Sequence, residues 1–379
     1  MIYLDNAATS WPKPEAVARE MLKCMQEYGA NPGRSGHRMA LLAGEKIYEC
    51  RENLAKLLGI DDPLRIIFTS NATEAINLAL KGLLIPGDHV ILTSMEHNAV
   101  LRPLKKLETV GVQLSIVLAD VHGKVNAADI AGEIRENTKL LVVTHASNVT
   151  GTVNDLEALG RLTQERQILF MVDAAQTAGS YPLHAGQMHI DLLAFPGHKG
   201  LLGPQGTGGL YIRPGLILET LKEGGTGSLS ESPTQPEFLP DRYESGTLNT
   251  SGIVGWNEGV KYILAIGVDN IRNRENQLVN FMLEGLSKIK KVRVYGSNHP
   301  EQQTGVISIT IEGKDCEEVC RELDEKYSIA VRGGLHCAYL AHETIGTLGT
   351  GTIRFGIGFF NTIQDIEQAL QALQNIASL

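Results

Sequence analysis

Six short, nearly unbroken apolar runs, each followed by a polar cluster and then a helix-like amphipathic stretch, constrain this chain more than any other feature. They lie at 65–69, 89–93, 114–117, 139–144, 168–172 and 191–195. A strand that is apolar on both faces must be covered on both. Strands that alternate with helices join as parallel βαβ units, so the pattern predicts an α/β fold with a mainly parallel sheet between two helical layers. Residues 208–212, Gly-Gly-Leu-Tyr-Ile, read as an added edge or antiparallel strand.

After a Gly-, Ser- and Pro-rich loop at 224–240, helices at 253–266 and 268–289 lead into a second region. There, strands at 292–295, 306–311 and 352–356 are interspersed with helices at 316–326 and 363–376, the pattern of a smaller α+β domain. The expected division is 16–260 for the large domain, and 1–15 with 261–379 for the small one. A chain of 379 residues that is 43% hydrophobic can supply both cores.

A net charge of -9 without any basic run argues against nucleic acid or an anionic membrane as the main partner. No apolar stretch approaches a membrane span, and the first residues lack the basic and apolar parts of a signal peptide, so a cytoplasmic protein is expected. Five cysteines in so long a chain suit a reducing compartment better than a disulfide framework. Cys316 and Cys320 share a helical face and could nominally ligate a metal, but no further ligands lie near. They read as small buried hydrophobes, as do Cys24 and Cys50 at ordinary helix positions, and no metal site is expected.

In a doubly wound sheet, ligands bind beyond the carboxyl ends of the strands. At those ends stand Ser70-Asn71-Ala72-Thr73-Glu74, Ser94-Met95-Glu96-His97-Asn98, His145-Ala146-Ser147-Asn148, Asp173-Ala174-Ala175-Gln176 and Pro196-Gly197-His198-Lys199. By itself Lys199 reads as a solvated lysine closing a strand. Desolvated there, it loses its proton more readily and can form a Schiff base with an aldehyde, the chemistry that tethers pyridoxal 5'-phosphate. The helix opening at Ala72 and Thr73 offers backbone N–H groups and a positive dipole end to a phosphate, although Thr73 alone would pass as a helix cap. Asp173, otherwise a turn former, would keep a pyridine nitrogen protonated. His97 could stack on the ring, Asn148 and Gln176 could bond its hydroxyl oxygen, and His198 could reach the phosphate. Each residue has an ordinary reading; the set at successive strand ends points to one cofactor.

Those motifs, with Asp5-Asn6-Ala7-Ala8-Thr9 and Gly203-Pro204-Gln205-Gly206, resemble the class V aminotransferase superfamily of fold-type I enzymes across essentially the whole chain. Arg332-Gly333-Gly334-Leu335-His336-Cys337-Ala338 narrows the resemblance to the cysteine desulfurases, nearest the subgroup that includes selenocysteine-lyase-like enzymes. The resemblance implies a large domain with a seven-stranded-type sheet. It implies that Lys199 is the Schiff-base lysine, Asp173 the pyridinium partner, and His97 the stacking and proton-shuttling residue. Asn148 and Gln176 become ring-oxygen contacts, Ala72, Thr73 and His198 the phosphate cradle, and Cys337 the sulfur-accepting nucleophile. Arg354, with Arg332 and Asn148, becomes the grip on the substrate. Gly246-Thr247 is implied to reach the phosphate of a neighbouring subunit, which makes the enzyme a homodimer.

The implied reaction converts L-cysteine, or L-selenocysteine, to L-alanine and leaves a persulfide on Cys337 for an acceptor protein, as in iron–sulfur cluster assembly. A cysteine or selenocysteine lyase, and a weakly catalytic sulfur-relay scaffold, remain open alternatives. The chain departs from the family where Pro196 replaces a phosphate-binding serine or threonine, and where Ala338-Tyr339 lacks a common proline. Cys337 must react as a thiolate, which a cationic His336 or Arg332 beside it would favour. A zinc site built from His336, Cys337 and His342 lacks a fourth ligand.

Overall fold

The computed structural model describes residues 1–32, 36–297 and 299–378. In chain order its first part holds β1 (Ile2–Tyr3), α1 (Glu15–Lys23), α2 (Arg38–Leu58), β2 (Ile66–Thr69), α3 (Ala72–Leu83), β3 (His89–Thr93), α4 (Asn98–Glu108) and β4 (Gln113–Val117). Next come α5 (Ala127–Gly132), β5 (Thr138–Thr144), α6 (Leu156–Arg166), β6 (Leu169–Asp173), β7 (Leu192–Pro196), β8 (Gly208–Ile212), α7 (Thr250–Ile266) and α8 (Val268–Leu286). The chain closes with β9 (Val292–Tyr295), β10 (Val306–Ile311), α9 (Cys316–Tyr327), β11 (Ile329–Ala330), β12 (Arg332–Gly334), α10 (Tyr339–Thr344), β13 (Thr352–Gly356) and α11 (Ile363–Ser378).

The apolar runs form a seven-stranded sheet in the order β2-β8-β7-β6-β5-β3-β4. Its strands from β4 to β7 pair in parallel. The continuous apolarity has the expected cause: along β5, Leu141 and Val143 enter one hydrophobic cluster while Leu140 and Val142 enter another across the sheet. Each such burial contributes about 1.5–3 kcal/mol.

β8 is antiparallel to both of its neighbours, and it lies inside the sheet between β2 and β7 rather than at an edge. Its glycines admit that position. A Cβ on Gly208 would come 2.6 Å from the Asn71 backbone, and one on Gly209 would come 2.7 Å from the Phe195 ring.

The second region is a four-stranded antiparallel sheet, β12-β13-β10-β9, sharing a core with α8, α9 and α11. β1 pairs in parallel with β11, which brings the first residues of the chain to this sheet. The short β11 and β12 carry no periodic signal in the sequence; β12 owes its conformation to pairing with β13. Cys24 is not at an ordinary helix position but opens a π-helical turn, Cys24–Tyr28. α7 starts at Thr250, earlier than its apolar spacing predicts, because the Asn249 side chain accepts from the Gly252 amide at 3.0 Å. Residues 224–240 form no helix or strand. Among the described residues, no helix is long and apolar enough to cross a membrane.

Candidate active site

The carboxyl ends of β2, β3, β5, β6 and β7 converge on a cavity of about 220 Å³. Its wall includes Ala72, Thr73, His97, Asn148, Asp173, Gln176, His198 and Lys199, eight of the residues singled out from sequence, together with Pro196. α3 points its N-terminus at this space. The Asn71 side chain accepts from the Glu74 amide at 2.9 Å, and the Glu74 carboxylate reaches back to the Ser70 amide at 2.6 Å. Asn71, not Thr73, is thus the cap, and the first-turn amides of Ala72 and Thr73 are left for an anion.

His97 caps α4, with Nδ1 accepting from the Ala99 amide at 3.0 Å. Burial, helped by Lys199 and Arg354, pulls its pKa down to about 4. The ring is therefore neutral at physiological pH, and because Nδ1 is an acceptor the proton sits on Nε2.

Asp173 is buried, with one oxygen accepting from the Ala175 amide at 2.9 Å. Burial raises its pKa, while Lys199 opposes that rise. A carboxylate so placed is stabilised by a cation in the cavity. Desolvation, reinforced by Arg354, draws the Lys199 ammonium down to about 8. A phosphorylated aromatic aldehyde fits this wall: an amine that gives up its proton readily, a buried carboxylate and an amide-lined helix end each answer one part of it, and the cavity also has the buried, unpartnered Nδ1 of His198 on its border. Pro196 gives that border an apolar ring in place of a hydroxyl.

The remaining predicted residues lie outside that wall. Arg354 is buried on β13, donating from Nη1 to the Asn148 carbonyl at 3.1 Å and from Nη2 to Asp5 at 3.2 Å, with its buried Nε unpartnered. Arg332 is exposed and bonds the other Asp5 oxygen at 3.1 Å. Asp5 therefore braces both arginines; the sequence offered it only as part of a motif. Glu96 was also missed: fully buried and with its carboxyl pKa pushed up to about 8 by burial, it ties Thr93 to the Thr144 amide. Only its place one residue before His97 marked it. Thr247 is exposed and lines a different cavity beside Ser70 and Glu74.

Cys337 alone of the five cysteines is exposed. It sits on a turn in which His336 and Cys337 both adopt left-handed backbone, with φ of 50° and 57°. Such conformations cost about 1–3 kcal/mol each for residues with a side chain and persist only where neighbours impose them. Here the Asn148 side chain donates to the His336 carbonyl at 2.7 Å, and the Asn98 amide donates to the Cys337 carbonyl at 2.8 Å. Ala338 is fully buried against Met95 and Val149.

One expectation fails here. His336 turns inward, with Nε2 on the Thr352 hydroxyl at 3.0 Å, and burial drives its pKa down to about 2. It is neutral and cannot act as a cation beside Cys337. Arg354 is the cation whose charge bears on that sulfur. Among the described residues no group of three or more His, Cys, Asp or Glu is arranged to hold a metal.

A family model described as Aminotransferase class-V matches residues 2–369. A probable cysteine desulfurase of Methanothermobacter thermautotrophicus is 36% identical, the match spanning 100% of this chain and 95% of that protein. Among solved structures, the apo cysteine desulfurase from Thermococcus onnurineus NA1 gives a TM-score of 0.93 at 33% identity, covering 100% of this chain and 94% of that one. The cysteine desulfurase CsdA of Escherichia coli, in an S-sulfonic acid form, gives 0.88 at 26% identity, with 100% and 94% covered.

Proposed function

This chain belongs to the aminotransferase class-V family, and on that premise we propose that it is a pyridoxal-phosphate-dependent cysteine desulfurase converting L-cysteine to L-alanine with transfer of sulfur to Cys337. The observation that carries this reading is the anchoring of the exposed Cys337 turn by Asn148, in the wall of the Lys199 cavity, and by Asn98, next in the chain to the wall residues His97 and Ala99. A nucleophile on an unconnected loop would not be held against that opening.

Lys199 holds the cofactor, Asp173 its ring nitrogen, and the amides of Ala72 and Thr73 its phosphate with His198. The bound group supplies an electron sink for the substrate carbon. Arg354 grips the substrate carboxylate, guided by Asp5. Neutral His97, with its proton on Nε2, is placed to give or take a proton at the opening. The thiolate of Cys337 attacks the substrate sulfur; a sulfur–sulfur bond forms as the carbon–sulfur bond breaks, the electron pair left on that carbon takes up a proton, and the three-carbon product leaves as alanine.

We assign 16–260 to the cofactor domain, and 1–15 with 261–379 to the small domain. The active form is a homodimer in the cytoplasm that hands sulfur to an acceptor protein. Its supports are the exposed Met39, Leu41, Leu42 and Tyr48 on α2, and Thr247 standing outside its own chain's cofactor cavity. The test of function is the visible spectrum with L-cysteine, with alanine and persulfide assayed in parallel. Pyruvate and ammonia in place of alanine would transfer the assignment to a β-eliminating lyase.

A further inference from the structure

Donors from residues 9–13 converge on the two carbonyls that flank the Cα of Lys199. The His198 carbonyl accepts from the Ser10 amide at 3.1 Å, from the Thr9 hydroxyl at 3.0 Å, and from the Lys13 ammonium at 2.7 Å. The Lys199 carbonyl accepts from the Ser10 hydroxyl at 2.7 Å, and that hydroxyl oxygen accepts a second bond from Lys13 at 2.6 Å. A charge-assisted chain thus runs from Lys13 through Ser10 to the main chain of the reactive lysine.

The opposite side of this turn is closed by packing. A Cβ on Gly197 would meet Thr207 at 2.1 Å, and one on Gly200 would meet the Ala178 carbonyl at 2.6 Å. The glycines permit the close approach but confer no stiffness of their own. Within the turn the Leu202 amide donates to the Lys199 carbonyl at 2.9 Å, and residues 9–13 add the bonds that tie this main chain to another part of the protein. Lys13 is partly buried, its ammonium pulled down to about 8 by desolvation, and among the described residues its recorded partners are Ser10 and His198, with no carboxylate. Burying an ammonium without a counter-ion is costly; one of its two bonds ends on the Lys199 turn at the His198 carbonyl, and the other on the Ser10 hydroxyl that itself donates to that turn.

We propose that Lys13 is a positioning residue: its ammonium, with Ser10, fixes the main chain from which Lys199 enters the cofactor cavity. This rests on the reading of Lys199 as the cofactor lysine. The groups whose charges bear on Lys199 are Asp173 and Asp5, which favour its ammonium, and Arg354 and Arg332, which oppose it; His198 stands between Lys13 and the cavity. Loosening the turn so that water enters relieves the desolvation that lowers the Lys199 ammonium, and so raises its pKa.

The test is the pH dependence of pyridoxal phosphate coupling to apo-protein, followed by absorbance from about pH 6 to pH 10, with melting temperature measured beside it. Lys13→Met is expected to move the midpoint upward by roughly half a unit to one unit and to slow coupling several-fold. Lys13→Arg restores most of both, and Ser10→Ala gives a smaller change in the same direction. A lowered melting temperature with the wild-type midpoint and rate would overturn the proposal, because it would leave Lys13 a merely structural bond. If Lys13→Met does not fold, Ser10→Ala decides, and an unchanged midpoint there overturns it equally. A Lys199→Ala control that still couples covalently would instead sink the reading of Lys199 and leave the inference without its target.

Discussion

The cofactor cavity and the cysteine turn solve the same problem, fixing a reactive side chain, by opposite means. Around the cavity, three residues at successive strand ends are oriented by bonds within a few positions of them, Asn71 to Glu74, His97 to Ala99 and Asp173 to Ala175, while the Lys199 turn is also tied to residues 9–13. Around Cys337, the orienting bonds come from far along the chain: Asn98 to the Cys337 carbonyl, Asn148 to the His336 carbonyl, Arg354 to Asp5 and to the Asn148 carbonyl. The first region is a repeated local solution that a parallel sheet supplies at each strand end. The second is a single tertiary solution that holds two left-handed residues, and it exists only when both sheets are folded. Damage at the cavity should therefore abolish cofactor handling, whereas damage at the turn should leave it intact.

The largest effect expected is from Lys199→Ala, which should lose the borohydride-stable cofactor label and reduce turnover by roughly 10²–10⁴-fold or more. A label on the same peptide in that variant would break the comparison at its cavity side. Cys337→Ala should be as inactive in alanine formation while keeping the wild-type cofactor spectrum and its response to L-cysteine. Wild-type turnover without that thiol would remove the turn from the chemistry altogether.

Arg354→Ala should raise the KM for L-cysteine by about 10–150-fold, the equivalent of losing a charged hydrogen bond worth about 1.5–3 kcal/mol. It should leave the cofactor bound. A fall in kcat alone, with KM at the wild-type value, would place Arg354 with the thiolate instead of the substrate carboxylate.

Asn98→Pro sharpens the contrast most cleanly. Proline is tolerated at the first position of a helix, and His97, at φ -65° and ψ 153°, already has the extended backbone required before it. The change deletes the one amide that holds the Cys337 carbonyl. Persulfide formation should slow about fivefold, for a hydrogen bond worth about 1 kcal/mol, with cofactor binding unaffected. Equal losses in both would mean that the two regions are not separable.

The smallest effect belongs to Pro196→Ser, which restores a hydroxyl to the phosphate border and should tighten cofactor retention a few-fold on dialysis, in line with about 0.5–1.5 kcal/mol for an added hydrogen bond. Retention that stays the same or weakens would mean that His198 or the α3 amides already satisfy the phosphate.

Hydrophobic period and chain order made the seven-stranded sheet and eight of the residues in the cavity wall legible without coordinates, because strand-end chemistry is local and the parallel sheet brings its strand ends together by construction. The same reading left β8 as an edge or antiparallel strand; it is antiparallel, and its place inside the sheet was not legible, since nothing within Gly208–Ile212 records that Asn71 and Phe195 will lie so close to it. It offered His336 or Arg332 as the cation beside Cys337 because adjacency in sequence suggested adjacency of charge. The fold turned the His336 ring into the core and set Arg354, 17 positions after Cys337 and braced by Asp5 from the other end of the chain, where its charge interacts with the sulfur. Side-chain identity and period determined which groups can do the chemistry. Which of them share a dielectric environment, and therefore which is charged and which is neutral, was decided only by tertiary packing, because desolvation and Coulomb forces depend on distance in space and not on position in the chain.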